Sequence, residues 1–427
     1  MLRATVPLVV CLSATAETLS LREALAIASR ESPQIVLSRL EASEQQFLAK
    51  AVRSQAGLQL EVRFGTTYQT SNLQGIGLAF PGFPSRVGPY RTFDMRPVLT
   101  QRLFDPVLWS EIRAARERSR EAGFDADAVR ETVLYSVVRF YLQALEAHAR
   151  VKSAEARLRS SQAIREQTVE REKLGAASKL DLERATQQVE TERLLVLAAG
   201  EDRDVSHTLL AQTLGREQDP AFDPEPLPAP SVPLPPPEDR AATAFTLRPE
   251  LRALEARLQG ADHETKAAER QRLPRVEAFG DFGLSGAGPD RSLSTYTVGA
   301  AVSVPLWTSR RIENEIAAAR LRRQQVEQQM RKMRTEIAQQ VRQAEIEINT
   351  AWQSLEAAAK ASTAAREAFD LVGLRQGAGL ATSLDTQVAQ EELARAEQEE
   401  IRVRYQFYQG RARLAHAMGD AARVIED

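Results

Sequence analysis

Two short segments decide how the chain is read: Gly175-Ala-Ala-Ser178-Lys-Leu-Asp181 and Gly379-Leu-Ala-Thr382-Ser-Leu-Asp385. They stand 204 residues apart and share Gly, a hydroxyl three residues on, and Asp three further. Each lies in a long stretch without proline, after Pro106 up to Pro220 and after Pro305 to the end, so nothing forces a helix to break. The chain therefore writes one helical hairpin twice. The same offset relates Val137 to Val341 and Gly215 to Gly419 without a gap. A period this long marks a doubled domain half, not a small solenoid unit.

Hydrophobic spacing supports the helices. Val133, Val137, Phe140, Ala144, Ala147, Val151, Ala154 and Leu158 alternate by four and three. Their counterparts are Ile337, Val341, Ala344, Ile348, Ala351, Leu355, Ala358 and Ser362. A mean period of about 3.5 belongs to helices wound around partners. A second row, Leu134, Val138, Tyr141 and Leu145, is apolar in copy one but Ala338, Arg342, Glu345 and Asn349 in copy two. Spacing predicts helices over residues 108–174 and 178–214, and again over 309–376 and 382–418. Shorter helices are expected at about 20–56, capped by Ser20 with Glu23, and at 241–273. Pro33 and Pro249 should start or kink these. A 67-residue helix is roughly 100 Å long, and its return partner about half that. Two half-length helices laid end to end match one long one, which predicts an α-barrel.

The period changes to two in four places. Leu58, Leu60, Val62, Phe64 and Tyr68 alternate with polar residues, and Phe93, Met95 and Leu99 return. Copy two repeats this with Val276, Ala278, Phe282 and Leu284, then Tyr296, Val298, Ala300, Val302 and Val304. Strands are expected at about 58–70, 91–103, 275–285 and 294–306, with residues 71–90 a long Gly- and Pro-rich loop. Strands of about ten residues can span an outer membrane. Four cannot close a barrel, and an open edge cannot sit in lipid. Either they form a small soluble sheet, or three chains share a 12-stranded barrel. Trp109 and Trp307, just past a strand, suit an aromatic belt at one membrane face and equally suit core packing.

The domain plan reads as residues 1–16 signal peptide, 17–217 first repeat, 218–240 Pro-rich linker, 241–420 second repeat and 421–427 tail. Arg3, the apolar run to Leu12 and Ala14-Thr15-Ala16 make the signal. Cys11, the one cysteine, excludes an internal disulfide, and lipidation at it is the alternative. The linker, with nine of the twenty prolines, reads as an extended strap along the helical body. A net charge of -2 gives no support to nucleic-acid binding.

No catalytic set, cofactor loop or metal-ligand spacing is present: the four histidines are scattered, and Ala267 breaks the zincin pattern begun at His263-Glu264. The strongest functional signal lies at the hairpin tips. Gly175 and Gly379 suit helix C′ positions, Ser178 and Thr382 suit N-caps, and Asp181 and Asp385 suit N3 near the positive helix end. In a trimer six such tips would place six carboxylates at a pore mouth and expose the tip backbone for docking.

These features together resemble the TolC-like outer membrane efflux protein family over nearly all of the chain. The resemblance rests on the duplication, the strand–loop–strand insert in each half, the Gly-x-x-Ser/Thr-x-x-Asp tips, and the junctions Leu103-Phe104-Asp105 and Pro305-Leu306-Trp307. It implies a mainly α fold: a trimeric α-barrel plus a shared 12-stranded transmembrane β-barrel in the outer membrane, extending into the periplasm. It implies a passive exit duct, not an enzyme, for an efflux or type I secretion pump of the inner membrane, docked through a periplasmic adaptor at the tips. Arg102 departs from the usual junction proline, and Gln376 and Ala381 stand where better-known members carry a tyrosine and an arginine that latch the tip. The rival readings are a periplasmic coiled-coil adaptor or a structural scaffold. The cargo is not written in the sequence.

Overall fold

A computed structural model describes residues 17–73, 75, 77, 82, 84–216, 222–228, 230 and 239–421. The proposed signal peptide, Cys11, most of the proline-rich linker and nearly all of the tail lie outside them. Two compact units are present: Met1–Leu40, Asp125–Leu251 and Lys332–Asp427 form the first, and Glu41–Phe124 with Arg252–Arg331 the second.

In the first unit, β1 (Glu17–Leu19) leads into α1 (Leu21–Glu31), whose Ser20–Glu23 capping box closes as expected: the Glu23 N–H donates to Ser20 Oγ and the Ser20 N–H to Glu23 Oε2. Ser32 ends α1, and α2 (Pro33–Ser54) begins at the proline. The hairpins are α3 (Pro106–Lys173) with α4 (Lys179–Leu214), and α7 (Arg311–Gly377) with α8 (Ser383–Met418), residues 106–124 of α3 and 311–331 of α7 belonging to the second unit. Their seam is buried: Val133, Val137, Ala144 and Ala154, and Ile337, Val341, Ala344 and Ile348, in the two copies. The predicted helix at 241–273 is two, α5 (Arg240–Leu247) and α6 (Pro249–Arg270), because Pro249 holds Arg248 out of the helical region.

The linker supplies an unexpected strand. β4 (Phe222–Pro224) pairs in parallel with β1, Thr18 opposite Asp223. Tyr141, fully buried on α3, directs its hydroxyl at Leu19 O, 2.8 Å away, and Glu225 O, 3.0 Å away. Tyr408 on α8 donates to Pro228 O. This part of the linker is built into the unit instead of lying along it. It also explains the diverged second row: Leu134, Val138, Tyr141 and Leu145 are all buried, whereas in copy two Glu345 accepts from Arg240 at 2.8 Å.

Each hairpin foot ends in the same turn. Gly215 and Gly419 have φ of 83° and 85°, with the Schellman pair of bonds: Gly215 N–H to Gln212 O and Arg216 N–H to Ala211 O, then Gly419 N–H to His416 O and Asp420 N–H to Ala415 O. The turns fit tightly: a Cβ at Gly215 would meet Glu31 O at 2.8 Å.

In the second unit, β2 (Gln59–Asn72), β3 (Arg86–Phe104), β5 (Arg275–Gly286) and β6 (Ser292–Ser303) form one antiparallel sheet in the order β2-β3-β5-β6. The strands are longer than the expected ten residues, and the expected loop at 71–90 yields its ends to β2 and β3. Tyr90 explains this at one point: its hydroxyl meets Gln69 and Ser71 across the pair. The last strand stops at Ser303, not 306. Register puts Leu60, Leu99, Phe64, Met95, Leu284, Phe282, Tyr296, Val298 and Val302 on one face. Most of that face is open, with Leu60 68% and Val298 80% exposed, while Phe93 on it is buried against the Phe64 ring. The opposite face carries paired charge: Arg96 reaches Asp94 at 2.6 Å and Asp281 at 2.8 Å, and Arg63 pairs with Glu61. Among the described residues the outer edges of β2 and β6 pair with no strand. No helix among them is long and apolar enough to cross a membrane.

Candidate functional site at the hairpin tips

The sequence builds each tip from two opposed signals. The Schellman turn ends the ascending helix: Gly175 (φ 70°) gives its N–H to Glu172 O and Ala176 its own to Arg171 O, while Gly379 (φ 75°) and Leu380 repeat this on Gln376 O and Arg375 O. Three residues later the next helix begins. Ser178 Oγ accepts the Asp181 N–H at 3.2 Å, and Asp181 Oδ2 accepts the Ser178 N–H at 3.0 Å. Thr382 and Asp385 do the same at 3.2 and 2.8 Å. All six tip residues read from the sequence occupy their expected backbone positions.

The tips are not engaged alike. Ser383, the first residue of α8, donates its hydroxyl to Asp181 Oδ1, so Asp181 is tied to both hairpins. The Ser383 hydroxyl, then Ser178, holds the Asp181 carboxyl down to about 2. Asp385 is exposed, and its carboxyl is lowered by the Thr382 N–H and hydroxyl.

Behind the tips the two hairpins meet along a buried polar seam. Gln390 Nε2 donates to Ser161 Oγ at 2.6 Å. Thr168, Gln376 and Thr386 are buried beside a cavity of about 30 Å³, room enough for a water. Within the first hairpin, buried Arg157 lies 3.3 Å from Glu192, whose other oxygen accepts from Gln188 at 3.0 Å. Ser383, Gln390, Ser161, Arg157 and Glu192 were not singled out from the sequence. Each lies on a position whose copy is chemically different, so the repeat could not point to it.

The expected interface tryptophans are on the second unit. Trp109 packs edge-on against Phe104, with ring centroids 5.3 Å apart, and Trp307 is 88% exposed. Among the described residues no group of acidic, histidine or cysteine side chains is arranged to hold a metal ion.

The fold and its doubled tips define a class. The chain belongs to the outer membrane efflux protein family, which it matches over residues 24–216 and 242–420. It is an outer-membrane efflux channel and not an enzyme, and the adaptor and scaffold readings fall with that assignment. It is similar to the pyoverdine export outer membrane protein OpmQ of Pseudomonas putida, 27% identical over 415 residues, covering 90% of this chain and 82% of that one. Its fold matches VceC of Vibrio cholerae with a TM-score of 0.81 at 18% identity, covering 94% of this chain and 96% of VceC. It also matches the open state of MtrE from Neisseria gonorrhoeae, TM-score 0.77 at 19% identity, covering 94% and 89%.

Proposed function

We propose that three copies share one 12-stranded barrel, and that the channel is a passive exit duct for an inner-membrane pump. One observation carries this: a four-stranded sheet with exposed apolar residues on one face of all four strands, whose outer strands pair with no further strand among the described residues. Such edges are not viable in lipid unless another chain pairs with them. Joining β6 of one copy to β2 of the next closes the wall. Trp109 and Trp307 then lie at the membrane interface, where amphipathic rings are favoured. The chain is exported by its N-terminal signal peptide, and its helical hairpins extend into the periplasm.

A periplasmic adaptor docks on the tips at Gly175, Ser178, Gly379 and Thr382, and adaptor binding favours the open arrangement. Asp181 and Asp385 of three copies form the acidic ring at the mouth. The first cargo to test is a pyoverdine-type siderophore, because a relative is a pyoverdine export protein. The test uses outer-membrane extracts and planar bilayers. Wild-type trimers should conduct with cation preference, and Asp181→Ala with Asp385→Ala should reduce that preference. Unchanged selectivity would remove the acidic ring, and absence from the outer-membrane fraction would remove the duct.

A further inference from the structure

The chain leaves the sheet by two different routes. After β3 the junction is relaxed: buried Asp105 accepts the Leu108 N–H at 3.0 Å, and Pro106 opens α3. By the 204-residue repeat, Ser309 stands for Asp105 and Arg310 for Pro106. After β6 these two residues form a strained turn instead. Ser309 and Arg310 have φ of 47° and 63°, and the Arg311 N–H closes on Thr308 O at 2.9 Å. Two successive left-handed residues are a place for glycine or asparagine, because a Cβ disfavours that region. An arginine there keeps its side chain at a backbone cost that glycine would avoid, and such strain concentrates at functional positions.

The turn sits at a chemical border. The alternation of Tyr296, Val298, Ala300 and Val302 continues past the end of β6 through Val304 to Leu306, which is 92% exposed beside exposed Trp307. Charge begins just beyond. Arg311 donates to Glu315 at 2.7 Å and to Gln271 at 2.9 Å, and Arg272 reaches Glu313 at 3.2 Å. Arg310 is exposed, and its guanidinium has no partner among the described residues. Apolar side chains that end at an unmatched guanidinium fit a phospholipid: indole rings favour the interface, and the arginine fork fits a phosphate.

We infer that Leu306, Trp307 and Arg310 form a site for an anionic phospholipid of the periplasm-facing leaflet. Leu306 and Trp307 enter the acyl border, and Arg310 holds the phosphate, one site per copy. The inference rests on the membrane reading proposed above. Phosphatidylcholine also carries a phosphate, but its choline cation cancels the charge. An anionic head group therefore binds more tightly, by the attraction of one guanidinium.

The test uses the full chain as its trimer in mild detergent. Phosphatidylglycerol and phosphatidylcholine are offered in equal amounts, and bound lipid is counted by native mass spectrometry. Phosphatidylglycerol should bind first, at one site per copy. Arg310→Gly should weaken that binding about fivefold, the effect of one arginine at an anionic surface, and Arg310→Lys should keep most of it. Glycine adopts the same φ freely, so Arg310→Gly should melt no lower than the wild type in lipid-free detergent. Trp307→Ala with Leu306→Ser should weaken both lipids alike. Equal phosphatidylglycerol binding by the wild type and Arg310→Gly overturns the site. So does a wild type that takes both lipids equally, or a lower melt for Arg310→Gly without lipid, which would make the arginine structural. Millimolar inorganic phosphate should leave the lipid in place; displacement would make this a site for free phosphate and overturn the lipid assignment. A chain that does not reach the outer membrane overturns the membrane reading, whereas a trimeric channel that ignores head-group charge overturns this inference alone.

Discussion

The Ser383 hydroxyl donates to Asp181 Oδ1, the outer oxygen of a carboxylate whose other oxygen already closes the cap of α4. One side chain thus fixes a helix start and joins two hairpins. Removing the donor leaves the cap intact and cuts the tie. Ser383→Ala should therefore lower the melting temperature by only a few degrees, since one part-buried hydrogen bond to a carboxylate contributes about 2 kcal/mol. It should raise spontaneous opening a few-fold in planar bilayers. An unchanged open fraction would show that the tie does not hold the tip.

The same tie fixes a pH window. The Asp181 carboxyl is lowered to about 2 from an ordinary 3.8, so the stability it contributes is present above about 4 and is lost as pH falls towards 2. Conductance should stay flat from pH 8 to 5 and rise only below about 4. A transition between pH 6 and 7 would place control on another group.

His416 is such a group, acting on stability instead of gating. Its ring stacks on Tyr135 with centroids 4.6 Å apart, and burial, with the Arg248 cation, holds it down to about 4. The neutral form is the folded form, so stability is full above 6.5 and falls as pH drops from there towards 4. Between pH 7.5 and 5 the loss is about 2 kcal/mol for each chain. The thermal melt should shift down over that range in the wild type and shift less in His416→Phe. Equal shifts would assign the acid sensitivity elsewhere.

Glycines at the two ends of α4 should respond differently. Both take positive φ, which costs an L residue about 1 kcal/mol. Around Gly175 there is open space, whereas a Cβ at Gly215 would press on the Glu31 carbonyl at 2.8 Å. Gly215→Ala should lower the melting temperature clearly more than Gly175→Ala. The reverse order would contradict the packing at the foot.

The repeat made the hairpins, their caps and the six tip residues legible, because glycine and hydroxyl-Asp spacing encode local geometry. It was silent where the copies differ. Ser383 stands opposite Lys179, so no repeated pattern marked it. The strands β1 and β4 escaped for another reason: three residues carry no period, and their pairing joins positions about 200 apart through a parallel ladder and the Tyr141 hydroxyl. Seven glycines and prolines among residues 71–90 give the ends of β2 and β3 the composition of a loop, although Tyr90 bonds across the pair. Arg248 was legible only as the residue before a proline; its guanidinium also donates to His416 O at 2.9 Å, satisfying a carbonyl at the end of α8.

A four-stranded sheet with open outer edges is stable in lipid only as one part of a wall completed by other copies. The direct measurement is the native mass of the chain extracted from outer membranes in mild detergent, by light scattering corrected for bound detergent. Three copies, insoluble once detergent is removed, is the predicted result. A single copy that stays monodisperse in plain buffer would contradict it.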